Sequence, residues 1–200
     1  MSGTVSDTEG ARATESVAVA STRMSADLPV RLARTEADVA LARGLFEEYA
    51  AWLGIDLGFQ GFADELATLP GRYGPPLGCL ILAGPPGDAL GCVALRQLDP
   101  PPAVLGGARG APVGEVKRLY VQPRARGTGT GRALAQAIVD AARAFGYRTL
   151  CLDTLARMTE ARALYESLGF SRCARYYPNP HDDAVYYSLD LHAPERPMTP

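Results

Sequence analysis

The residues best placed to do chemistry fall in residues 114–132, GEVKRLYVQPRARGTGTGR. Gly127, Gly129 and Gly131 alternate with Thr128 and Thr130. Glycine reaches backbone conformations closed to other residues and leaves no side chain to block close approach. A helical pattern begins directly afterwards. The loop N–H groups and the helix N-terminus, with its effective charge of about +0.5, then form a cradle for a phosphate or pyrophosphate. Arg126 and Arg132 can add charge-assisted hydrogen bonds. The chemistry is anion binding, the plain alternative being a glycine turn that merely starts a helix. Two common phosphate loops do not fit. A P-loop needs GxxxxGK[ST], but Lys117 is the chain's only lysine and precedes the glycines. A dinucleotide fingerprint needs GxGxxG, and the third position holds Arg132 or Leu134 according to the starting glycine.

The elements around the loop follow from pattern. Residues 30–34 alternate like an opening strand. Thr35 and Asp38 form a capping box for a helix that buries Val39, Ala42, Phe46, Tyr49 and Leu53 and ends at Gly54. A short helix spans residues 63–69, stopped by Pro70. Strands at 77–83 and 89–98 flank a Pro/Gly turn. After a long connection, strand 115–122 feeds the glycine segment. The next helix buries Leu134, Ala137, Ile138, Ala141 and Phe145. Residues 149–154 form a short buried strand. Thr159 caps a helix carrying Leu164, Tyr165 and Leu168, closed by Gly169. Strands at 170–177 and 184–191 finish the domain. The order β–α–α–β–β–β–α–β–α–β–β, a meander feeding one β–α–β unit, implies an α/β (α+β) domain with a mixed sheet of six or seven strands and helices on both faces.

Composition narrows the class. The chain has 200 residues and a formal charge of −2, which suits one domain and gives no support to a nucleic-acid or polybasic membrane-surface partner. No run reaches the roughly 18 apolar residues of a membrane span. Residues 1–28 and 193–200 read as disordered tails around a domain at 29–192. Cys79, Cys92, Cys151 and Cys173 fall in apolar stretches without a CxxC, the pattern of buried thiols in a reducing cytoplasm. With only His181 and His192, zinc fingers, HExxH peptidases and histidine triads lack their parts, and no metal is expected.

The loop Arg126-Gly127-Thr128-Gly129-Thr130-Gly131 resembles the [QR]xxGx[GA] pyrophosphate loop of the GNAT superfamily, the acyl-CoA-dependent N-acetyltransferases. Leu119-Tyr120-Val121 looks like the strand end that precedes it, and ARALYESLGF at 161–170 resembles the family's second signature helix. The resemblance covers about residues 30–191. It implies a GNAT fold splayed between the fourth and fifth strands, with acetyl-CoA in the gap as cosubstrate. Main-chain groups of Leu119, Tyr120 and Val121 would bond the pantetheine arm. N–H groups of Arg126, Gly127, Thr128, Gly129, Thr130, Gly131 and Arg132 would hold the pyrophosphate. Glu115 matches the family's glutamate base, its alternative role being strand-edge solvation or a salt bridge with an arginine. Tyr165 matches the tyrosine beside the CoA sulfur. Met158 departs from the pattern, standing where an asparagine is usual.

The same resemblance implies a primary-amine acceptor, either a small molecule or a peptide or protein, attacking directly within a ternary complex. Residues offered for its site are Asp56, Phe59, Gln60, Phe62, Tyr176, Tyr177, Asn179, Tyr186 and Tyr187. In strands, adjacent tyrosines point to opposite faces, so at most one of each pair would line a pocket. A cytoplasmic monomer or homodimer is expected. The alternative from another class is a non-catalytic acyl-CoA-binding sensor.

Overall fold

In a computed structural model, residues 28–105 and 112–192 are described. The tail assignments, Leu28 apart, and part of the long connection lie outside these residues. The order of helices and strands is the one the pattern predicts: β1 (Val30–Leu32), α1 (Glu36–Leu53), α2 (Phe62–Thr68), β2 (Cys79–Ala83), β3 (Gly91–Leu98), β4 (Val113–Val121), α3 (Thr130–Ala144), β5 (Thr149–Leu155), α4 (Thr159–Ser167), β6 (Ser171–Arg172) and β7 (Ala184–Asp190).

The seven strands form one sheet in the order β1-β2-β3-β4-β5-β7-β6. Helix α1 packs Ala42, Leu45 and Phe46 on one face, against Leu80, Leu82, Cys92 and Ala94. On the other, α3 and α4 pack Leu134, Ile138, Val139 and Tyr165 against Ile81, Val93, Val116, Leu152 and Tyr187. The Thr35–Asp38 capping box forms, and Gly54 closes α1 at φ 68°.

Two irregularities in β4 shape everything that follows. The first is its pairing with β5, the only parallel pair among the described strands. It lasts three steps, Val113↔Thr149, Gly114↔Leu150 and Glu115↔Cys151. Beyond Glu115 the two strands splay apart, leaving backbone groups on both inner edges unpaired. The second is a β-bulge. Cys92 faces Tyr120 but Ala94 faces Lys117, so three steps of β4 oppose two of β3. Arg118 takes the extra position at φ 57°, a left-handed conformation that costs a non-glycine residue about 1 kcal/mol or more. Its guanidinium is locked by both carboxylate oxygens of Glu65, each at 2.8 Å, and by Gln60 Oε1 at 3.0 Å. The ring of Phe62 lies 5.0 Å away.

Three local expectations change. The strand expected at 170–177 is two residues long: after Cys173 N–H donates to the Tyr186 carbonyl, the chain leaves the sheet. Thr159 is the first residue of α4, not its cap; Met158 holds the cap position without a side-chain hydrogen bond. Cys173 is only partly buried, unlike Cys79, Cys92 and Cys151.

Candidate active site

Where β4 and β5 part, a groove of about 530 Å³ opens, lined among others by Leu119, Tyr120, Val121, Arg126, Gly127 and Gly131. Six of the residues expected to hold a cofactor thus meet on one wall. The opposite wall is the start of α4, including Met158, Ala161 and Leu164, and Trp52 from α1 closes the mouth. Gly127 and Gly129 adopt φ 75° and 88°, which is why glycine is needed there. Gly131 needs no special φ. A Cβ at this position would only touch Leu164 and Val121, each at 3.8 Å, so its value lies in keeping the groove wall low.

Gly129 caps α3 with no side chain on the helix N–H groups, leaving them open to an anion. Thr128 does not face the groove: its hydroxyl bonds the Ala125 carbonyl at 2.8 Å and the buried Thr130 hydroxyl at 2.7 Å, bracing the loop from behind. Arg132 reaches Ser167 at 2.9 Å. Arg126 stacks 4.7 Å above the Trp52 ring and donates from Nε to the Val121 carbonyl at 3.0 Å.

Register explains why that carbonyl is available. Gln122 N–H donates to the Leu90 carbonyl, so the neighbouring Gly91↔Val121 pair is of the non-hydrogen-bonded kind. The N–H and C=O of Val121 therefore point away from β3, into the splay. An extended arm laid along β4 would find a donor and an acceptor there.

The groove meets a smaller, polar cavity of about 50 Å³ lined by Lys117, Arg118, Leu119, Asp153, Thr154, Met158, Ala161 and Tyr165, among others. Leu119, Met158 and Ala161 line both spaces. Lys117 and Asp153 stand two residues beyond the last β4–β5 pair. Lys117 Nζ bridges the strands to Asp153 Oδ1 at 3.1 Å. Asp153 Oδ2 accepts from the Tyr177 hydroxyl at 2.7 Å and Asn179 Nδ2 at 3.5 Å, and Tyr177 in turn accepts from Gln60 Nε2 at 3.1 Å. Burial pushes the Asp153 carboxyl up, but the Lys117 charge and the Tyr177 hydroxyl outweigh it and hold the group below the usual carboxylate range, so it stays ionised.

Glu115 lies one layer deeper and does not line either space. Only 1% exposed, it takes Arg96 Nη2 at 2.6 Å and the Tyr176 hydroxyl at 3.0 Å, with Lys117 Nζ at 3.8 Å. The arginine salt bridge weighed for it in the sequence is present. Tyr165 does line the small cavity, and among the described residues nothing hydrogen-bonds its hydroxyl. Burial raises its phenol, so it keeps its proton at neutral pH and is available as a donor.

Of the residues offered for an acceptor, Gln60, Tyr177 and Asn179 converge on Asp153. Tyr176 and Tyr177 both face the buried carboxylates, with rings 5.3 Å apart. The alternation rule fails for them because the segment is not a strand. It holds for the β7 pair, where Tyr186 packs on Tyr176 at 5.3 Å and Tyr187 crosses to the other face and bonds Glu166 at 2.7 Å. Asp56 is spent on its own turn, accepting from Gly58 N–H at 2.7 Å. Phe62 lies under Arg118, and Phe59 packs on His181 at 5.4 Å. Asp153, Arg96 and Trp52 were not legible as site residues. Asp153 sits in an ordinary buried strand, and its partners come from 24 or more residues away.

A family model for the acetyltransferase (GNAT) family matches residues 42–170. An uncharacterized N-acetyltransferase of Schizosaccharomyces pombe is 38% identical over 148 residues, covering 74% of this chain and 85% of its own. Aminoglycoside N(6')-acetyltransferase type 1 of Stenotrophomonas maltophilia is 31% identical, covering 71% of this chain and 87% of its own. A Salmonella typhimurium protein solved with its cofactor acetyl-CoA shares the fold with a TM-score of 0.56 at 20% identity, over 86% of this chain and 98% of that one.

Proposed function

The chain belongs to the GNAT family of acetyltransferases, and from that premise we propose that it transfers an acetyl group from acetyl-CoA to a primary amine by direct attack within a ternary complex. The observation that carries the reading is the junction at Leu119. There the glycine-lined groove meets a cavity lined by the Asp153 carboxylate and the Tyr165 phenol.

The groove suits a long, partly anionic cosubstrate. The uncapped N-terminus of α3 and the 126–132 loop would hold the pyrophosphate, and the splay-facing main chain of Val121 would take the arm, with Leu119 and Tyr120 on the groove wall beside it. Bound acetyl-CoA supplies an activated acetyl thioester. The Val121 N–H would polarise the thioester carbonyl. Tyr165 would give its proton toward the departing sulfur. Asp153 is the carboxylate that an incoming ammonium meets first, drawing it into the cavity and, directly or through a water, accepting its proton. Glu115 is the deeper partner: through Lys117, which stands between the two carboxylates, it would help fix the charge and position of Asp153. Among the described residues, no cysteine thiol lines the groove or the cavity to carry a covalent intermediate. The buried thiols fit the reducing cytoplasm as the place of action.

The first experiment is thermal unfolding with acetyl-CoA, using NAD and ATP as controls, followed by amine-dependent CoA release over a panel of small-molecule and peptide amines. Ligand at 100 times its Kd adds about 2.7 kcal/mol, a rise of roughly 5–11 °C for a domain of this size. A rise with acetyl-CoA alone and amine-dependent CoA release are the expected results. No rise overturns the cosubstrate. A rise without CoA release under any amine returns the chain to a cofactor sensor.

A further inference from the structure

Lys117 presents a primary amine at the cavity to which the reading above brings an acceptor. It is the chain's only lysine, yet it is almost wholly buried rather than on the surface. Its ammonium has an Asp153 carboxylate oxygen at 3.1 Å and a Glu115 oxygen at 3.8 Å. The ring of Tyr177 lies 5.8 Å from it. Carboxylates with an aromatic face are the surroundings that recognise a primary ammonium. The cavity it lines shares Leu119, Met158 and Ala161 with the groove proposed for acetyl-CoA.

We propose that Lys117 is a self-acetylation site, modified by acetyl-CoA when no acceptor fills the cavity; this rests on the acetyl-CoA reading above. In the step, the Lys117 ammonium gives one proton to Asp153, and the neutral Nζ attacks the thioester carbonyl carbon. The N–C bond forms as the C–S bond breaks. The second amine proton is lost to solvent, and the CoA sulfur leaves as a thiol with a proton from Tyr165, which regains one from Asp153. The balance is acetyl-CoA plus lysine ammonium giving acetyl-lysine, CoA thiol and one proton.

The product would silence the site. An acetylated Lys117 carries no charge, so Asp153 and Glu115 would lose the cation between them, and the amide would fill the cavity an acceptor needs. Saturating acceptor should protect Lys117, and a starved enzyme should inactivate itself in step with the modification.

The full chain is incubated with acetyl-CoA, without acceptor, and followed by intact mass and by peptide fragmentation. Because there is one lysine, acetyl-lysine can arise at one position only, and fragmentation separates it from the N-terminal amine. The expected result is one acetyl group on Lys117, added more than about ten-fold faster in the folded chain than in urea, a margin that proximity readily supplies. Excess CoA should suppress it, and Lys117→Arg should abolish it. Acetylation at the N-terminus alone, or at equal rates folded and unfolded, overturns the inference. So does an unmodified Lys117 in a protein that acetyl-CoA stabilises thermally, an outcome that leaves the cosubstrate reading standing. Absence of thermal stabilisation removes both.

Discussion

The two halves of the site are built by different means. On the cofactor side, one wall is a single continuous stretch, 119–131, in which Gly127 and Gly131 bring main chain to the groove, with α4 across it. On the acceptor side, Gln60, Lys117, Asp153, Tyr177 and Asn179 come from four separate segments, and the Gln60–Tyr177 hydrogen bond spans 117 residues of sequence. The first half recognises what every acyl-CoA shares, a pyrophosphate and an amide-bearing arm, and backbone groups suffice for that. The second half selects one amine among many, and that takes side chains. A further contrast is electrostatic. The cofactor loop carries Arg126 and Arg132 in the open. The acceptor side buries Glu65, Glu115 and Asp153 against Arg96, Lys117 and Arg118, a balanced set whose members cannot be removed singly without stranding a partner.

Substitutions can sharpen that contrast. The largest effect is expected on the acceptor side. Asp153→Asn should lower kcat by about 10²–10⁴-fold while the acetyl-CoA-induced rise in Tm persists. Loss of both together would mean that the halves are not separable. Glu115→Gln should separate stability from chemistry in the other direction. It leaves Arg96 and Lys117 short of a charge and should cost about 3–5 kcal/mol in denaturant unfolding. An unchanged stability with a collapse in kcat would restore Glu115 as the acting base.

On the cofactor side the effects should be smaller. Gly129→Ala forces a side chain into φ 88°, a strain of about 1–2 kcal/mol. Acetyl-CoA binding should weaken by about ten-fold, with kcat at saturation held. The smallest effect lies outside both halves, in the cap of α1. Asp38 is lowered to about 2 by hydrogen bonds from the Arg34 backbone and the Arg31 side chain. Its folded value is depressed, so its contribution is complete above the unfolded value of about 3.9 and is lost as pH falls toward 2. Asp38→Asn should therefore cost about 1 kcal/mol at pH 7, fading through that acid window, with both ligand affinities unchanged.

The same contrast decides what could be read from sequence. The capping box, Gly54, Gly127 and Gly129 answer to neighbours within a few residues, and their requirements are written locally. So is the element order. The bulge at Arg118 was not legible, because what stabilises it is Glu65, 53 residues away. Tyr176 and Tyr177 looked like strand residues on β-propensity, yet the chain turns them off the sheet to satisfy Glu115 and Asp153. Thr159 carries the side chain of a helix cap but stands one residue inside the helix. Asp153 had no local mark at all: its meaning comes only from the splay that separates it from β4.

Trp52 gives the groove an optical property. It is the chain's single tryptophan, half exposed at the groove mouth, with a guanidinium on its face and Tyr120 at 6.2 Å. Any ligand that draws Arg126 toward its own phosphates removes a charge from the indole and changes its solvation. Intrinsic fluorescence then reports occupancy of one known place in the unlabelled protein. Tyrosine-to-tryptophan energy transfer brings the signal from Tyr49 and Tyr120 to the same point. A stopped-flow trace of that emission would time the arrival and departure of the cosubstrate independently of acetyl transfer.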